Sequence, residues 1–127
     1  MRLKSTIFTL LFLGIFSFSH AQTALTAYTE AGKVQATYYT SGEMTERIIY
    51  FENGAISEIA TFKGNLPHGT WTYFNEAGKV LKTSHYNAGE KQGVWKVWSE
   101  FSGHFIEIDY TQDGSMASTI QSKSRFE

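Results

Sequence analysis

The sequence predicts an all-β fold, an antiparallel meander of repeated β-hairpins that forms one elongated, twisted sheet. Eight aromatic residues stand 11 or 12 positions apart, and a glycine follows each of them two to five positions later. A strand of about six residues that ends in an aromatic, followed by a turn that needs a positive φ angle, gives this pattern. The aromatic residues are Tyr28, Tyr39, Phe51, Phe62, Phe74, Tyr86, Trp98 and Tyr110.

The hairpins pair into a longer repeating unit, which is clearest between Gly54 and Gly103. A shift of 24 positions superimposes glycines on glycines and rings on rings: Gly54 on Gly78, Phe62 on Tyr86, Gly69 on Gly93, Trp71 on Trp95 and Phe74 on Trp98. Further upstream, YTEAGKV at 28–34 is similar to FNEAGKV at 74–80, an offset of two units with two positions deleted. Terminal units of repeat proteins are expected to be atypical because they cap the array.

Eight candidate strands follow from this periodicity. They are rich in β-branched and aromatic residues, and none is long enough for a convincing helical period. They span residues 34–39, 44–51, 55–62, 70–74, 80–86, 94–98, 105–110 and 116–120. Glu52-Asn53-Gly54 and Gln112-Asp113-Gly114 are typical of tight hairpin turns, whereas 63–68 and 87–92 are predicted as longer connections. Short and long turns would then lie on opposite edges of the sheet.

The predicted strands do not have one apolar face and one polar face, because large side chains occur on both faces. Alternation places Trp71 and Tyr73 on one face, and it separates Trp95 from Trp98. No predicted helix is available to cover such a sheet, so its rings are expected to pack against each other. We interpret Trp71 and Trp95 as core residues of the repeat; a ligand platform is the alternative.

The segment at 1–21 predicts a signal peptide. Arg2 and Lys4 form a basic start, residues 7–18 are apolar, and Ser19-His20-Ala21 has small residues where a signal peptidase reads them. The apolar segment is shorter than the roughly 20 residues that a membrane span needs. We therefore expect export to the periplasm or the medium, a mature N-terminus at Gln22, and no membrane insertion after signal removal. The chain has no cysteine for lipid attachment or disulfides.

Three segments are predicted: the signal peptide at 1–21, a β-repeat domain at 22–114, and a weak last strand with a flexible tail at 115–127. Removal of Arg2 and Lys4 with the signal peptide leaves nine of the 11 basic residues against 12 acidic ones, a net charge of about −3. A nucleic-acid binder needs a basic stripe to displace counterions from phosphates. None is visible, so nucleic acid is not expected as a partner.

The segment at 51–98, with Asn53-Gly54 and His68-Gly69-Thr70-Trp71-Thr72-Tyr73, resembles the MORN-repeat variant family. The resemblance extends over about residues 28–114. It implies a β-hairpin repeat fold, and proteins with such repeats include antitoxins of the YwqK type. By resemblance, an antitoxin-like neutralising role is therefore one of the possible functions.

No catalytic, cofactor-binding or metal-binding residue is predicted, and the chain is not expected to be an enzyme. His68, His85 and His104 occupy three different registers of the repeat, so nothing makes them converge on a metal. Glu107 and Asp109 share one strand face, which is compatible with paired carboxylate chemistry or with an ordinary solvated face.

Aromatic side chains are therefore the candidate binding surface: Trp71, Tyr73, Tyr86, Trp95 and Trp98. Our hypothesis is an exported, non-catalytic module for protein–protein binding or scaffolding at the cell envelope, and a glycan-binding module is the alternative. A row of coplanar, half-exposed rings would favour a sugar ligand. Buried rings with exposed loops would favour a protein partner.

Overall fold

The computed structural model describes residues 2–5, 22–100, 104–111 and 117–119. In these residues, eleven strands form one open antiparallel sheet and no helix is present, which confirms the predicted all-β meander. The strands follow one another across the sheet in chain order, except that the short β6 pairs only with β5. They are β1 (Arg2–Ser5), β2 (Thr23–Tyr28), β3 (Val34–Ser41), β4 (Met44–Tyr50), β5 (Ile56–Lys63), β6 (Leu66–Pro67), β7 (Gly69–Phe74), β8 (Val80–Asn87), β9 (Glu90–Trp98), β10 (Phe105–Asp109) and β11 (Ala117–Thr119).

All eight predicted strands are present, and three further strands were not predicted. β2 was missed because Thr23–Tyr28 consists mainly of threonine and alanine and has only one large ring, at its end. β1 lies inside the predicted signal peptide, where it pairs antiparallel with β2. Most of the segments 1–21 and 115–127 lies outside the described residues. The signal peptide, the flexible tail and the domain boundaries therefore stay predictions.

Three turns of the same construction lie along one edge of the sheet, by which we mean the row of strand ends where β2, β4 and β7 finish. In the turn after β4, the N–H of Phe51 donates to the Ala55 carbonyl at 2.8 Å and the N–H of Gly54 donates to the Phe51 carbonyl at 2.9 Å. The turns at 29–33 and 75–79 repeat both bonds. A register shift accompanies each turn in the adjoining strands, as expected for three-residue hairpin loops that end in a left-handed glycine.

On the other edge, at the opposite ends of the strands, the prediction of longer connections at 63–68 and 87–92 is wrong. Both are tight turns: β5 pairs with β6 across Gly64-Asn65, and β8 pairs with β9 across Ala88-Gly89. The sequence suggested a loop because extra residues follow each turn. These residues are instead absorbed as a bulge within the next strand, as described below.

The sheet is a single layer, so few side chains are fully covered. Among the described residues, the buried side chains are those of Ala27, Ala36, Ala60, Ser84, Trp95 and Tyr110. Most other strand residues are half-buried on one face or the other. Stability must therefore come from ring contacts along a face and from the strand ladder, because the described residues form no second layer for the sheet to pack against. No described helix is long and apolar enough to cross a membrane.

Substitution of Gly54 by valine tests the turn construction. Gly54 has a φ of +86°, and a Cβ added there would meet nothing within 4 Å. We expect Gly54→Val to lower the free energy of unfolding by about 1 to 2 kcal/mol through backbone strain alone. Ala55→Val, one residue on, is the control and should cost much less. Equal losses of melting temperature for the two variants would contradict the assigned turn.

Candidate functional site

The sequence-predicted rings form a ladder on one face of the sheet. Phe62, Trp71, Tyr86, Trp95 and Tyr110 contact one another in order, each from the next strand segment across the sheet. Successive ring centroids are 4.8 to 5.1 Å apart, and successive planes are tilted by 53° to 59°. We call this side of the sheet the ladder face. Tilted contacts of this kind place the edge of one ring against the face of the next, an arrangement that aromatic pairs prefer.

A bulge in the strand positions each tryptophan of the ladder. Thr83 pairs with Lys96 and His85 pairs with Gln92, so Ser84 alone faces the three residues Gly93, Val94 and Trp95. The extra length is accommodated by Gly93, whose φ of +67° is unfavourable for other residues. A Cβ on Gly93 would only touch His85 at an ordinary 3.8 Å, so the glycine is needed for its backbone angle rather than for space.

The same bulge occurs one repeat earlier. Ile59 pairs with Thr72, and the Thr61 carbonyl accepts the His68 N–H at 2.9 Å, which leaves Ala60 facing Gly69, Thr70 and Trp71. Ala60 and Ser84 are both fully buried, with no exposed surface. We therefore expect a small side chain to be needed at this register, because one fully buried residue faces three residues of the bulge.

The indole N–H groups are satisfied in the same way in both repeats. Trp71 Nε1 donates to the carbonyl of Thr61 at 2.8 Å, and Trp95 Nε1 donates to the carbonyl of His85 at 3.0 Å. Each acceptor lies ten positions before its tryptophan. Since a buried indole N–H must find an acceptor, this bond fixes the ring orientation that the ladder needs.

The N-terminal repeat lacks the bulge, which explains its two missing positions. There, Tyr38 pairs directly with Arg47 without a register shift. Counted from the turns on either side, Tyr38 stands where Ala60 and Ser84 stand, and Arg47 stands where Trp71 stands. A large ring in the small-residue position thus accompanies loss of the tryptophan. The ladder accordingly begins at Phe62.

Cationic side chains lie over the ladder. The Arg47 guanidinium is 4.9 Å from the Phe62 ring centroid and 5.8 Å from that of Trp71. The Lys91 ammonium lies 5.1 Å from Trp95 and 5.0 Å from Tyr110. Such cation–π contacts are attractive, and they also cover the ring faces.

Two further polar contacts complete this side of the sheet. Arg47 Nη2 donates to Glu58 Oε1 at 2.6 Å, and Arg47 Nε donates to the same oxygen at 3.1 Å. Lys82 lies over both Tyr73 and Trp95, at 5.1 and 5.0 Å. Burial raises the pKa of the Tyr73 hydroxyl above its ordinary value, and the Glu58 carboxylate raises it further. The pKa of Tyr86 is raised chiefly by burial.

The five candidate residues therefore divide between two faces. Trp71, Tyr86 and Trp95 lie in the ladder, and Tyr73 lies beside it under Lys82. Trp98 lies on the opposite face, where its ring contacts Phe105 at 5.9 Å. Phe62 and Tyr110 also belong to the ladder, although neither was predicted as a binding-surface residue. The signal was present, because Phe62, Tyr86 and Tyr110 follow one another at the interval of the repeat.

Strand pairing builds the opposite face as a row that runs across the sheet. Ile48 pairs with Ile59, Ile59 with Thr72, and Thr72 with Thr83. These side chains are half-buried, and no second layer of the described chain lies against them. The opposite face is thus half-exposed and mixed in character: isoleucines lie beside threonines, and at one end of the row Lys96 Nζ pairs with Glu107 Oε1 at 3.1 Å.

The carboxylate pair and His85 have structural partners. Glu107 and Asp109 alternate with Ile108 and so share a face, as predicted. Asp109 Oδ1 accepts the Thr111 N–H at 2.7 Å, and hydrogen bonds from Thr111 lower the pKa of this carboxyl. His85 Nδ1 lies 3.0 Å from Thr70 Oγ1. No group of three or more potential ligands that could hold a metal ion occurs within the described part of the chain.

Ser84 is expected to be replaceable with a gain in stability. Its hydroxyl is fully buried and has no hydrogen-bond partner among the residues that the structure describes. Because Ala60 occupies the same register, Ser84→Ala should fit the site and raise the free energy of unfolding by about 1 kcal/mol. The control is Ser57→Ala, which removes a hydroxyl that donates to the Ile49 carbonyl at 3.1 Å and should destabilise. Denaturant midpoints that move in the same direction would contradict this prediction.

Comparison with known proteins gives one family and one structure. A solved structure, "Crystal Structure of TarM", is similar to this chain with a TM-score of 0.46 and 16% identity over 73% of this chain. The chain spans 18% of the length of that protein, and the likeness is too slight to inform function. No curated protein matches the sequence. Residues 67–88, which contain the bulge, Trp71 and Tyr86 of the ladder, match the family described as "MORN repeat variant", and this match supports a MORN-repeat protein.

Proposed function

We propose that this chain is an exported, non-catalytic β-repeat module that binds another protein at the cell envelope. The MORN-repeat match suggests a β-repeat protein-binding module. The observation that carries the proposal is the opposite face, where Ile48, Ile59 and Trp98 are only half-buried by the single-layer sheet. Half-exposed apolar side chains among hydroxyl and charged groups are a composition that protein interfaces share.

The ladder face supports a protein partner over a glycan. Sugar rings stack on flat, accessible aromatic surfaces, whereas successive ladder rings are tilted by 53° to 59°. Arg47, Lys82 and Lys91 also lie over these rings. The rings therefore act as the core of the repeat, and they leave the opposite face for binding.

Site-specific photo-crosslinking tests the proposal. A photoreactive residue at Thr72 would lie in the middle of the opposite face, between Ile59 and Thr83. In intact cells it should give a discrete adduct with one envelope protein, identified by mass spectrometry. The same residue at Asn65, in an exposed turn on the sheet edge, is the control and should give far less of this adduct. Retention on envelope polysaccharide with no protein adduct would replace the proposal with the glycan-binding alternative.

An antitoxin-like role is a special case of the same proposal, because neutralisation also requires a protein partner. The two differ in the nature of that partner. If the protein captured through Thr72 arrests growth when it is produced alone, and co-production of this chain restores growth, the role is neutralisation. If the captured protein is harmless alone, the role is scaffolding.

Export is tested separately by intact mass. The basic, apolar and small-residue order of positions 1–21 predicts that native material begins at Gln22. Mass spectrometry of the protein recovered from the periplasm or medium should show this start, with or without cyclisation of the terminal glutamine. Material that retains residues 1–21 would contradict export by signal cleavage.

A further inference from the structure

The edge of the sheet with three-residue loops presents a repeated acidic position. Glu30, Glu52 and Glu76 are the second residues of the three turns that share their hydrogen bonds, and Glu100 follows β9 on the same edge. All four are exposed, and each lies one repeat after the one before it. We call this row, with the strand ends between its turns, the turn strip. Its regular geometry follows from the repeat itself.

Shallow grooves with aromatic walls lie between the turns of the strip. The first has a volume of about 470 Å³, and its lining includes Glu30, Lys33, Tyr50, Phe51 and Glu52. The second has a volume of about 480 Å³, and its lining includes Phe51, Phe74, Glu76, Leu81 and Glu100. Each groove therefore combines an apolar floor with carboxylates from two successive turns.

The carboxylates of the strip are available to a partner. The ion pairs formed within the described residues are Arg47–Glu58, Lys63–Glu43 and Lys96–Glu107, and none involves the strip. Two lysines also belong to these turns. Lys33 Nζ is turned along the edge, where it donates to the backbone carbonyl of Glu52 at 3.3 Å, and Lys79 is exposed. Four carboxylates against two ammonium groups leave the strip negative, so charge complementarity calls for a cationic occupant.

The spacing of the grooves restricts the shape of that occupant. Successive turns of the strip are two strands apart, which is about 9.6 Å at the usual strand separation. A polyproline II segment has three residues per turn and rises about 3.1 Å per residue, so every third side chain points to the same side and meets the next groove. An extended β segment does not fit, because its residues at an interval of three point to opposite sides. Polyproline II segments dock in aromatic-lined grooves because they need little further ordering.

We propose that the turn strip binds a polyproline II segment of a partner protein that carries arginine or lysine at every third position. The cations lie between the carboxylates of successive turns, and the apolar residues between them cover Phe51 and Phe74. This inference rests on the proposed protein-binding function, and it adds a second surface and the chemistry of the segment that occupies it.

Two labelled peptides of identical composition test the spacing. One repeats Arg-Pro-Pro four times, and the other has the same residues with the arginines clustered at both ends. Fluorescence anisotropy with the full chain should show the evenly spaced peptide binding about tenfold more tightly, since each additional exposed ion pair contributes about threefold in affinity. Equal binding of the two peptides, or binding of neither, would overturn the proposal.

Charge-neutral variants test the location. The double variant Glu52→Gln with Glu76→Gln should weaken binding of the evenly spaced peptide by about tenfold. The control is Glu43→Gln with Glu90→Gln, which removes the same charge from exposed positions on the other edge and should leave binding unchanged. Equal losses in both double variants would show a general charge effect and overturn the strip as the site. If the peptide tests fail while Thr72 still captures a protein, only this inference fails; if Thr72 captures none, the proposed function fails.

Discussion

Replacement of Trp95 by alanine is expected to lower the free energy of unfolding by about 3 to 5 kcal/mol, a large part of the about 5 to 10 kcal/mol typical of a small domain. Trp95 is 5% exposed, the most buried ring of the ladder. It contacts Tyr86 at 5.1 Å and Tyr110 at 4.8 Å, so its removal breaks the ladder on both sides. Its indole N–H bond to the His85 carbonyl is lost as well.

A denaturant titration measures this effect, with two variants for comparison. Trp71→Ala should cost somewhat less, because Trp71 has the same kinds of contact but remains half-exposed. Trp98→Ala is the control on the opposite face, and it should cost least because Trp98 is half-exposed and lies outside the ladder. Unfolding midpoints of the Trp95 and Trp71 variants within error of the parent would overturn their core role and favour a ligand platform.

The ladder also determines how the effect of a substitution on stability spreads along the sheet. Each ring touches only its neighbours in the row, so the contribution of a repeat depends on the repeats beside it, as in other repeat proteins. A ring in the middle of the row supports two ring contacts. Among the described residues, Phe62 has a ring contact only with Trp71, and the Arg47 guanidinium lies over both of these rings. The N-terminal repeat therefore joins the ladder through a cation rather than through a ring.

Much of the fold could be predicted from the sequence because, within each repeat, the positions of rings and glycines and the alternation of side chains indicate the same strands and turns. Rings end the strands, glycines occupy left-handed turn positions such as Gly54 at +86°, and strand alternation places Trp71 with Tyr73 and away from Phe74. These signals depend on side-chain type and on a period of two. Both can be read along the chain without knowledge of which strands pair.

The ladder and its bulges could not be read in the same way. Gly69 and Gly93 look like turn glycines, but their positive φ angles occur inside strands, where they absorb the extra residues that suggested longer loops. The decisive signal was the small residue that each bulge faces. Ala60 and Ser84 are equivalent positions of successive repeats, yet small residues are too common for this match to be noticed before the pairing is known.

Enlargement of Ala60 tests whether a small residue at this position is needed for Trp71 to pack in the ladder. Ala60 has no exposed surface and faces the bulge of Gly69, Thr70 and Trp71. A leucine there has no room without moving the Trp71 indole away from Phe62 and from the Thr61 carbonyl, which lies 2.8 Å from its Nε1. We expect Ala60→Leu to lower the free energy of unfolding by about 2 to 3 kcal/mol, the usual range for an overpacked site.

Calorimetry and tryptophan fluorescence measured on the same variant separate this mechanism from a general loss of stability. Ala60→Leu should lower the melting temperature and also change the emission of the folded protein, because Trp71 is displaced within the native state. Ala77→Leu is the control: Ala77 is exposed in the turn at 75–79, so the same added volume should leave both signals near those of the parent. If Ala60→Leu melts like Ala77→Leu, the register does not require a small side chain. The bulge glycine alone would then place the tryptophan.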